Sequence, residues 1–368
     1  MKASFLRNDA FFIFAKNLTM QKRDILSIPF NELCNSLLEL GEKKFRATQL
    51  YEWLWKKRVR SFDEMSNLSQ NLREQLSERY FFQTVKIVTP QTSADGSCKF
   101  AFALNDGNVV EGVLIPSKDR MTACISTQVG CGMQCAFCAT ATLGFTRNLS
   151  VGEITDQFFV MDAYARENGS NGISNIVYMG MGEPLMNYAA VMDSIERLTD
   201  PKTVGLAPSR ITVSTSGIVK NIVKLADDGF PCNLAISLHA PKDSLRSVIM
   251  PVNKSNSLEK LSDALAYYHE KTGGRITIEY LLLRDVNDSI QHARDLAEFT
   301  KRFPVKINVI EFNPHENSVY KKSDRQTLDA FVNFLKGLNL IVNVRYSKGR
   351  DIAAACGQLA GKVKGKRK

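Results

Sequence analysis

The chain has 368 residues, 44% of them hydrophobic and 23% charged, with a formal net charge of +10 and a sequence pI near 9.1. This is an ordinary globular composition, of a length that suits one large α/β domain plus a smaller accessory one. No apolar run approaches the roughly 20 residues that span a bilayer, which excludes a helical membrane protein, while the positive excess favours a polyanionic partner through phosphate contacts.

At the amino end, Phe11-Phe12-Ile13-Phe14-Ala15 is too short for a signal peptide and lacks a small-residue cleavage site, so export is not expected. Met20 is an alternative start. Without export the protein is expected in the cytoplasm, where its eight cysteines stay reduced and serve metal or catalytic chemistry rather than disulfides. Residues from about 20 to 85 read as helical: Leu50, Trp53 and Leu54 fall at i, i+3 and i+4. Core packing is the expected role of Trp53, with Trp55 open. The basic run Lys56-Lys57-Arg58-Val59-Arg60 sits beside them, and a second, Lys362-Val363-Lys364-Gly365-Lys366-Arg367-Lys368, follows much later. Either run alone is as readily a solvated surface as a nucleic-acid contact.

From residue 96 the pattern changes. Lys99–Leu104 and Val109–Ile115 flank Asn105-Asp106-Gly107-Asn108, a hairpin signal. Strand-like runs then alternate with helical stretches: Thr122–Thr127, Ser174–Met179, Arg210–Thr215, Asn233–Leu238, Arg275–Leu282, Val305–Phe312 and Leu340–Arg345. Repeated βα units imply a parallel sheet. Ser150 and Glu153 predict a capping box for a helix with the apolar stripe Ile154, Phe158, Met161 and Ala165. About six βα units fall short of the eight in a closed barrel, so the expected fold is α/β, a partial (β/α)6 barrel. The expected division is 1–95 as a helical accessory domain, 96–320 as the barrel core with its leading hairpin, and 321–368 as a helix, a strand and a cysteine loop with the basic tail. No internal repeat or low-complexity linker is evident.

Cys131-Gly-Met-Gln-Cys135-Ala-Phe-Cys138 carries the chemistry. Thiolates with three and then two intervening residues can hold one corner of an iron–sulfur cube. Usual [4Fe–4S] sites take four thiolates; a site with three leaves one iron open to bind a ligand. Zinc on three cysteines and one distant ligand is the alternative, although structural zinc sites favour Cys pairs brought from two places; inert core cysteines are another. In parallel βα architectures reactive groups gather at the carboxyl ends of strands. Gly180-Met181-Gly182-Glu183-Pro184, Ser214-Thr215-Ser216-Gly217, Ser237-Leu238-His239 and Asn313-Pro314 all stand there. Any one of them could be an ordinary loop. In register at successive strand ends they read as a ring around one extended ligand, with Glu183 able to accept from an ammonium group.

The cysteine spacing resembles that of the radical S-adenosylmethionine (SAM) superfamily. With Gly144-Phe145-Thr146-Arg147-Asn148-Leu149, Met179–Leu185, Ser214–Gly217, Ser237-Leu238-His239-Ala240-Pro241 and Ala354-Ala355-Cys356-Gly357-Gln358-Leu359, the chain from about residue 25 to 362 resembles the RlmN/Cfr family of radical SAM RNA methyltransferases. Gly182-Glu183-Pro184-Leu185 and Ser214-Thr215-Ser216-Gly217 match the RlmN branch. Ala353 stands where the family usually has Asp.

The resemblance implies a partial radical SAM barrel and methylation of carbon 2 of adenosine, near the peptidyl-transferase centre of 23S rRNA and 3′ of the anticodon in tRNA. Carbon 2 is an electron-poor C–H position, so polar methyl transfer would fail and a radical is required. It implies one [4Fe–4S] cluster on Cys131, Cys135 and Cys138, with SAM on the open iron and at Gly182, Glu183, Ser214, Ser237, Leu238, His239 and Asn313. Two SAM molecules would be used per turnover. Cys356 takes a methyl group from the first; the second is cleaved to a 5′-deoxyadenosyl radical that activates that methyl group for addition to the adenine. Cys124 then attacks the Cys356 sulfur, releasing the product through a transient disulfide, with Glu111 as proton acceptor. Strand alternation places Glu111 beside Val109 and Val113, an apolar setting that raises carboxylate pKa values; a solvent-facing edge carboxylate is the plainer reading. For Cys124 and Cys356 the plainer reading is buried hydrophobes, and Cys34, Cys98 and Cys232 are expected in the core. A monomer with an electron donor such as flavodoxin is expected. A Cfr-like carbon 8 methyltransferase and a zinc-stabilised RNA-binding protein are the alternatives.

Overall fold

The computed structural model describes residues 22–315 and 318–360; Phe11–Ala15, Met20 and the Lys362–Lys368 run lie outside them. The chain divides into two compact units, up to Gln83 and from Thr84 onward.

In the first unit the two-residue strand β1 (Arg23–Asp24) pairs in parallel with β2 (Tyr80–Phe81), around helices α1 (Phe30–Glu39), α2 (Phe45–Glu52) and α3 (Gln70–Arg79). Ser69 caps α3 by accepting from the Leu72 N–H at 3.3 Å, which satisfies one of the helix's orphan donors. Leu33, Leu37, Leu50, Leu54, Leu72 and Leu76 form the core. A π-helical turn over Trp53–Lys57 ends on left-handed Arg58. Its wider pitch moves the apolar phase by a position, so Trp55 rather than Trp53 enters the core. Trp53 is half-buried, donates to Asn67 Oδ1 at 2.5 Å and carries the Lys57 ammonium 3.4 Å above its ring. The expected core role of Trp53 therefore falls to Trp55, which the sequence left open.

The second unit opens with β3 (Lys86–Thr92), β4 (Cys98–Ala103), β5 (Val109–Ser117) and β6 (Arg120–Cys124), antiparallel neighbours in sequence order. Because β3 pairs with β4, the structural break falls at Gln83/Thr84, not at the expected 95/96. Next come β7 (Gln128–Gly130) and β8 (Phe145–Asn148), an antiparallel pair closing the base of the cysteine loop. Gly130 has φ +73°, and a side chain there would collide with the Gly144 carbonyl. Helix α4 (Val151–Glu167) then begins. Ser150 Oγ accepts from the Glu153 N–H at 3.1 Å and Glu153 accepts from the Ser150 N–H at 2.9 Å, the expected box. Ile154, Phe158, Met161 and Ala165 are all buried, the larger three each stabilising by about 1.5–3 kcal/mol.

The chain continues as β9 (Asn175–Tyr178), α5 (Tyr188–Thr199), β10 (Ile211–Thr215), α6 (Val219–Asp227), β11 (Asn233–Ser237), α7 (Asp243–Ile249), α8 (Leu258–Thr272), β12 (Ile276–Leu282), α9 (Ile290–Phe299), β13 (Val305–Glu311), α10 (Arg325–Gly337) and β14 (Val342–Arg345). One ten-stranded sheet runs β14-β13-β12-β11-β10-β9-β6-β5-β4-β3. Its seven parallel strands, β6 and β9 to β14, are joined by six helical crossovers and the sheet stays open. This is the expected partial barrel plus a closing strand; residues 342–345, expected in a separate carboxyl-terminal segment, complete the same sheet.

The parallel strands are two-faced. Ile278, Tyr280, Ile307 and Val309 are fully buried and alternate with polar residues. Ser237, Glu279, Asn308 and Asn343 stand in lateral register across β11 to β14, so they share the opposite face. Among the described residues no helix is long and apolar enough to cross a membrane.

Candidate active site

All the polar clusters singled out from the sequence lie at carboxyl ends of parallel strands, as βα architecture requires. Cys124 closes β6. The Cys131–Cys138 loop follows, held by Cys131 N–H to Gly144 O (2.8 Å), Ala136 N–H to Ile249 O (2.9 Å) and Cys138 N–H to Cys135 O (3.1 Å). Burial pushes the Cys131 thiol up to about 11, with Glu183 and Cys138 adding to it. Burial raises Cys135 further, with Cys138 and Cys131 adding. The three sulfurs therefore feel one another. Among the described residues, no three His, Cys, Asp or Glu side chains are drawn tightly enough to grip a single metal ion. An all-sulfur donor set, with Cys131 buried and Cys135 and Cys138 half-buried, fits an iron–sulfur group, because a bound metal takes the proton's place on each thiol and removes the cost of a bare thiolate.

Gly180 and Gly182 follow β9. Gly182 has φ +101°, and a Cβ there would sit 2.6 Å from Gln128 Cβ and 2.8 Å from its backbone N. This close approach lets Gln128 Oε1 accept from the Glu183 N–H at 2.9 Å. Glu183 is buried, and its oxygens accept from the Leu185 N–H at 3.1 Å and the Ser216 N–H at 2.7 Å. Burial raises its carboxyl, against the pull of those donors. Ser214 Oγ and Ser237 Oγ are 3.4 Å apart, joining β10 to β11. Leu238 is fully buried, with its N–H on Glu279 O at 3.1 Å and its carbonyl accepting from Arg246 Nε at 3.1 Å. His239 is buried and left-handed (φ 57°), and its Nδ1 accepts from the Leu281 N–H at 3.1 Å. That bond fixes the proton on Nε2, and burial with nearby Arg246 pushes the ring down to about 3, so it stays neutral.

A carboxyl-terminal strap, residues 349–360, crosses this end of the barrel. Gly357 O accepts from the Ala139 N–H at 2.8 Å, Leu359 O from Thr140 Oγ1 at 2.6 Å, and Pro314 O from Gln358 Nε2 at 2.9 Å. Asn313 Nδ2 reaches Ser347 Oγ at 2.7 Å and Cys356 O at 3.5 Å. Glu111 Oε2 accepts from the Ala360 N–H at 2.7 Å, while Lys99 Nζ lies 3.3 Å from the other carboxylate oxygen. Glu111 is buried, but beside an ammonium and a peptide N–H rather than in the expected apolar setting.

Cys356 stays open to solvent. Protein around it, then Glu279 and Cys138, raise its thiol to about 11. Cys124 is buried, and burial followed by the nearby Cys356 pushes its thiol well above the usual range. The strap thus brings Cys356, Cys124, Glu111, Asn313 and the cysteine loop to one end of the barrel. Cys34, Cys98 and Cys232 are buried elsewhere, as expected. Sequence reasoning missed Gln128, Arg246 and Glu279. The last had a signal: it is the lone carboxylate in the apolar run Ile276–Leu283.

Residues 23–81 match the model of the ribosomal RNA large subunit methyltransferase N-terminal domain, and residues 125–297 match the radical SAM superfamily. A "probable dual-specificity RNA methyltransferase RlmN" of Cytophaga hutchinsonii is 45% identical over 341 residues, covering 93% of each chain. The one of Salinibacter ruber is 46% identical over 330 residues, 88% of this chain and 89% of that protein. The crystal structure of a radical SAM methyltransferase from Sphaerobacter thermophilus is 37% identical and superposes with a TM-score of 0.87, covering 92% of this chain and all of that one. The radical SAM superfamily works with a 4Fe–4S cluster and SAM. With the fold, the cysteine loop and these relatives in agreement, the chain belongs to the RlmN family of radical SAM RNA methyltransferases.

Proposed function

We propose that this protein methylates carbon 2 of adenosine in 23S rRNA, at the peptidyl-transferase centre, and in tRNA, 3′ of the anticodon. The observation that carries this is the strap, which lays Cys356 against the cysteine loop and gives Glu111 its Ala360 hydrogen bond. Cys131, Cys135 and Cys138 would hold one [4Fe–4S] cluster, with SAM bound beside it. Gly182, Glu183, Ser214, Ser237, Leu238, His239 and Asn313 shape the SAM subsite. Once bound, the cluster and SAM supply one-electron chemistry able to activate an unreactive C–H bond.

The chain's own residues do the rest. Cys356 is the methyl carrier: its thiol would give up a proton and its sulfur would take the methyl group of SAM, S-adenosylhomocysteine leaving with the electron pair of the broken bond. Its position by the opening gives the RNA base access, while its raised thiol keeps it protonated and unreactive in the resting state. Cys124, buried and held as a thiol, is the resolving group: on losing its proton its sulfur would bond to the Cys356 sulfur as that sulfur's bond to the transferred carbon breaks, the electron pair leaving with the methylated base. Glu111 accepts the proton lost from the base, and Lys99 steadies its charge. The protein works as a cytoplasmic monomer that draws electrons from a donor such as flavodoxin.

The deciding experiment is anaerobic reconstitution with iron and sulfide, followed by SAM and RNA, scored for 5′-deoxyadenosine and 2-methyladenosine. Cys356→Ala should bind iron as the unaltered chain does and yield no methylated RNA. Methylated RNA from that variant removes the carrier role, and methylation at carbon 8 replaces the carbon 2 assignment.

A further inference from the structure

Arg246, on α7, is wholly buried, yet among the described residues no carboxylate lies within ion-pair distance of it. Its guanidinium donates instead to neutral oxygens. Nε reaches Leu238 O at 3.1 Å, Nη1 reaches Asn253 Oδ1 at 2.9 Å, and Nη2 reaches Ser216 O at 2.6 Å and Ser237 O at 3.3 Å. A buried charge without an adjacent counter-ion is costly, and the carboxylate of Asp243 is reached only through Asn253, whose Nδ2 donates to Asp243 Oδ1 at 2.7 Å, so the charge is balanced at one remove and a further anion beside it would be stabilising. The helix that carries Arg246 also abuts the cysteine loop: the Ile249 carbonyl at its end accepts the Ala136 N–H at 2.9 Å, and Cys135 and Cys138 pack against the apolar cluster that holds Ile249 and Met250. Burial disfavours the guanidinium's charge, while the Cys135 sulfur and then Asp243 favour it.

The fork also has a geometric consequence. Ser216 and Ser237–Leu238 end β10 and β11, the two strands whose tips carry Ser214, Ser237 and Leu238 of the SAM subsite. The Ser216 peptide is gripped from both sides, its carbonyl by Arg246 and its N–H by Glu183 at 2.7 Å. A planar guanidinium with fixed donors can hold three carbonyls at once; an ammonium cannot reproduce that fork.

We infer that Arg246 is a positioning residue with two separable duties: its fork fixes the strand tips that shape the SAM subsite, and its charge balances the anionic cluster on Cys131, Cys135 and Cys138. This rests on the cluster standing on those three cysteines. A fixed cation beside an iron–sulfur group favours the reduced, more negative state, since cluster potentials follow local charge and hydrogen bonding.

The test uses the full chain, reconstituted anaerobically, as the unaltered protein and as Arg246→Gln and Arg246→Lys. Iron and sulfide content, the midpoint potential from redox titration by electron paramagnetic resonance, and SAM binding by equilibrium dialysis are measured. Arg246→Gln should disfavour reduction by about tenfold, or about 59 mV for one electron, and weaken SAM. Arg246→Lys should keep the potential while SAM binds about tenfold more weakly, the cost of losing a charged hydrogen bond. A wild-type potential in Arg246→Gln overturns the charge-balancing duty, and wild-type SAM affinity in Arg246→Lys overturns the clamp. If Arg246→Gln does not fold by far-UV circular dichroism, the lysine variant decides alone, and a tenfold loss of reducibility there overturns the inference. An unaltered chain that assembles no cluster would instead remove the ligand assignment beneath it.

Discussion

Gly182→Ala tests one close backbone approach in the site. Gly182 has φ +101°, and an added Cβ would meet Gln128 Cβ at 2.6 Å, Cγ at 2.8 Å and backbone N at 2.8 Å. Carbon atoms prefer about 3.5–4.0 Å, so the neighbour must give way by several tenths of an ångström. Because one of the crowded atoms is main-chain nitrogen, a rotamer change cannot relieve it. Backbone strain costs about 1–3 kcal/mol and overpacking about 1–3 kcal/mol, giving about 2–6 kcal/mol together. Gly107→Ala is the matched control: its φ is +83° and nothing lies within 4 Å of the added carbon, so only strain of about 1–2 kcal/mol applies. Both tryptophans, Trp53 and Trp55, belong to the first unit. Urea unfolding followed by tryptophan fluorescence therefore reports that unit, and far-UV circular dichroism adds the barrel. Gly182→Ala should move only the second signal, by about 1–3 kcal/mol more than Gly107→Ala, the overpacking that the control lacks. Gln128 also receives the Glu183 N–H, so SAM binding should weaken in Gly182→Ala alone. Equal costs for the two variants would refute the reasoning.

Glu279→Gln keeps an oxygen able to accept from Asn308 Nδ2, a bond of 2.8 Å, but removes the charge that helps raise Cys356; the pH midpoint for iodoacetamide labelling of Cys356 should fall below about 11, and an unmoved midpoint refutes the coupling. Asp95 is held down to about 2 by the N–H groups of Gly349 and Ser97 despite partial burial. Its stabilising contribution is present above the usual 3.8 and is lost as pH falls through about 2. Asp95→Ala should accordingly speed hydrogen exchange of the Gly349 amide, which donates to Asp95 Oδ2 at 2.8 Å, and unchanged exchange would show that the strap is held elsewhere. Cys124→Ala should accumulate a covalent adduct between protein and RNA under turnover, seen as a mobility shift on denaturing gels; free RNA alone would remove Cys124 as the resolving sulfur.

Periodicity made the barrel legible. Each strand run from Thr122 onward alternates or is continuously apolar, and each but the last is followed by a helical stripe, so seven parallel strands were readable. β3 was not, because it is an edge strand exposed along nearly its whole length, with Pro90 and a register shift between Ile87 and Thr89. That is why the domain boundary was placed a dozen residues late. Trp53 was expected in the core because the i, i+3, i+4 rule assumes an α-helix, and Trp53–Lys57 takes the wider turn. The cysteines and strand-end clusters stood out by spacing, and the resemblance gave them roles. Arg246 gave no signal, since Lys242, Asp243 and Ser244 around it make it look like any surface arginine; only tertiary packing of α7 against the tips of β10 and β11 buries it. Lys99 was hidden likewise: its partner Glu111 lies diagonally across a hairpin whose register only the folded pair displays.

The two-sided character of the parallel strands has an evolutionary corollary. One face of these strands is largely apolar, whereas alternate positions, among them Ser237, Glu279, Asn308 and Asn343, stand on the other face and carry polar groups. Residues on the polar face can thus be exchanged one at a time without loosening the apolar packing. A scaffold divided in this way lets selection try new substrates or new reactive groups while leaving its mechanical frame untouched.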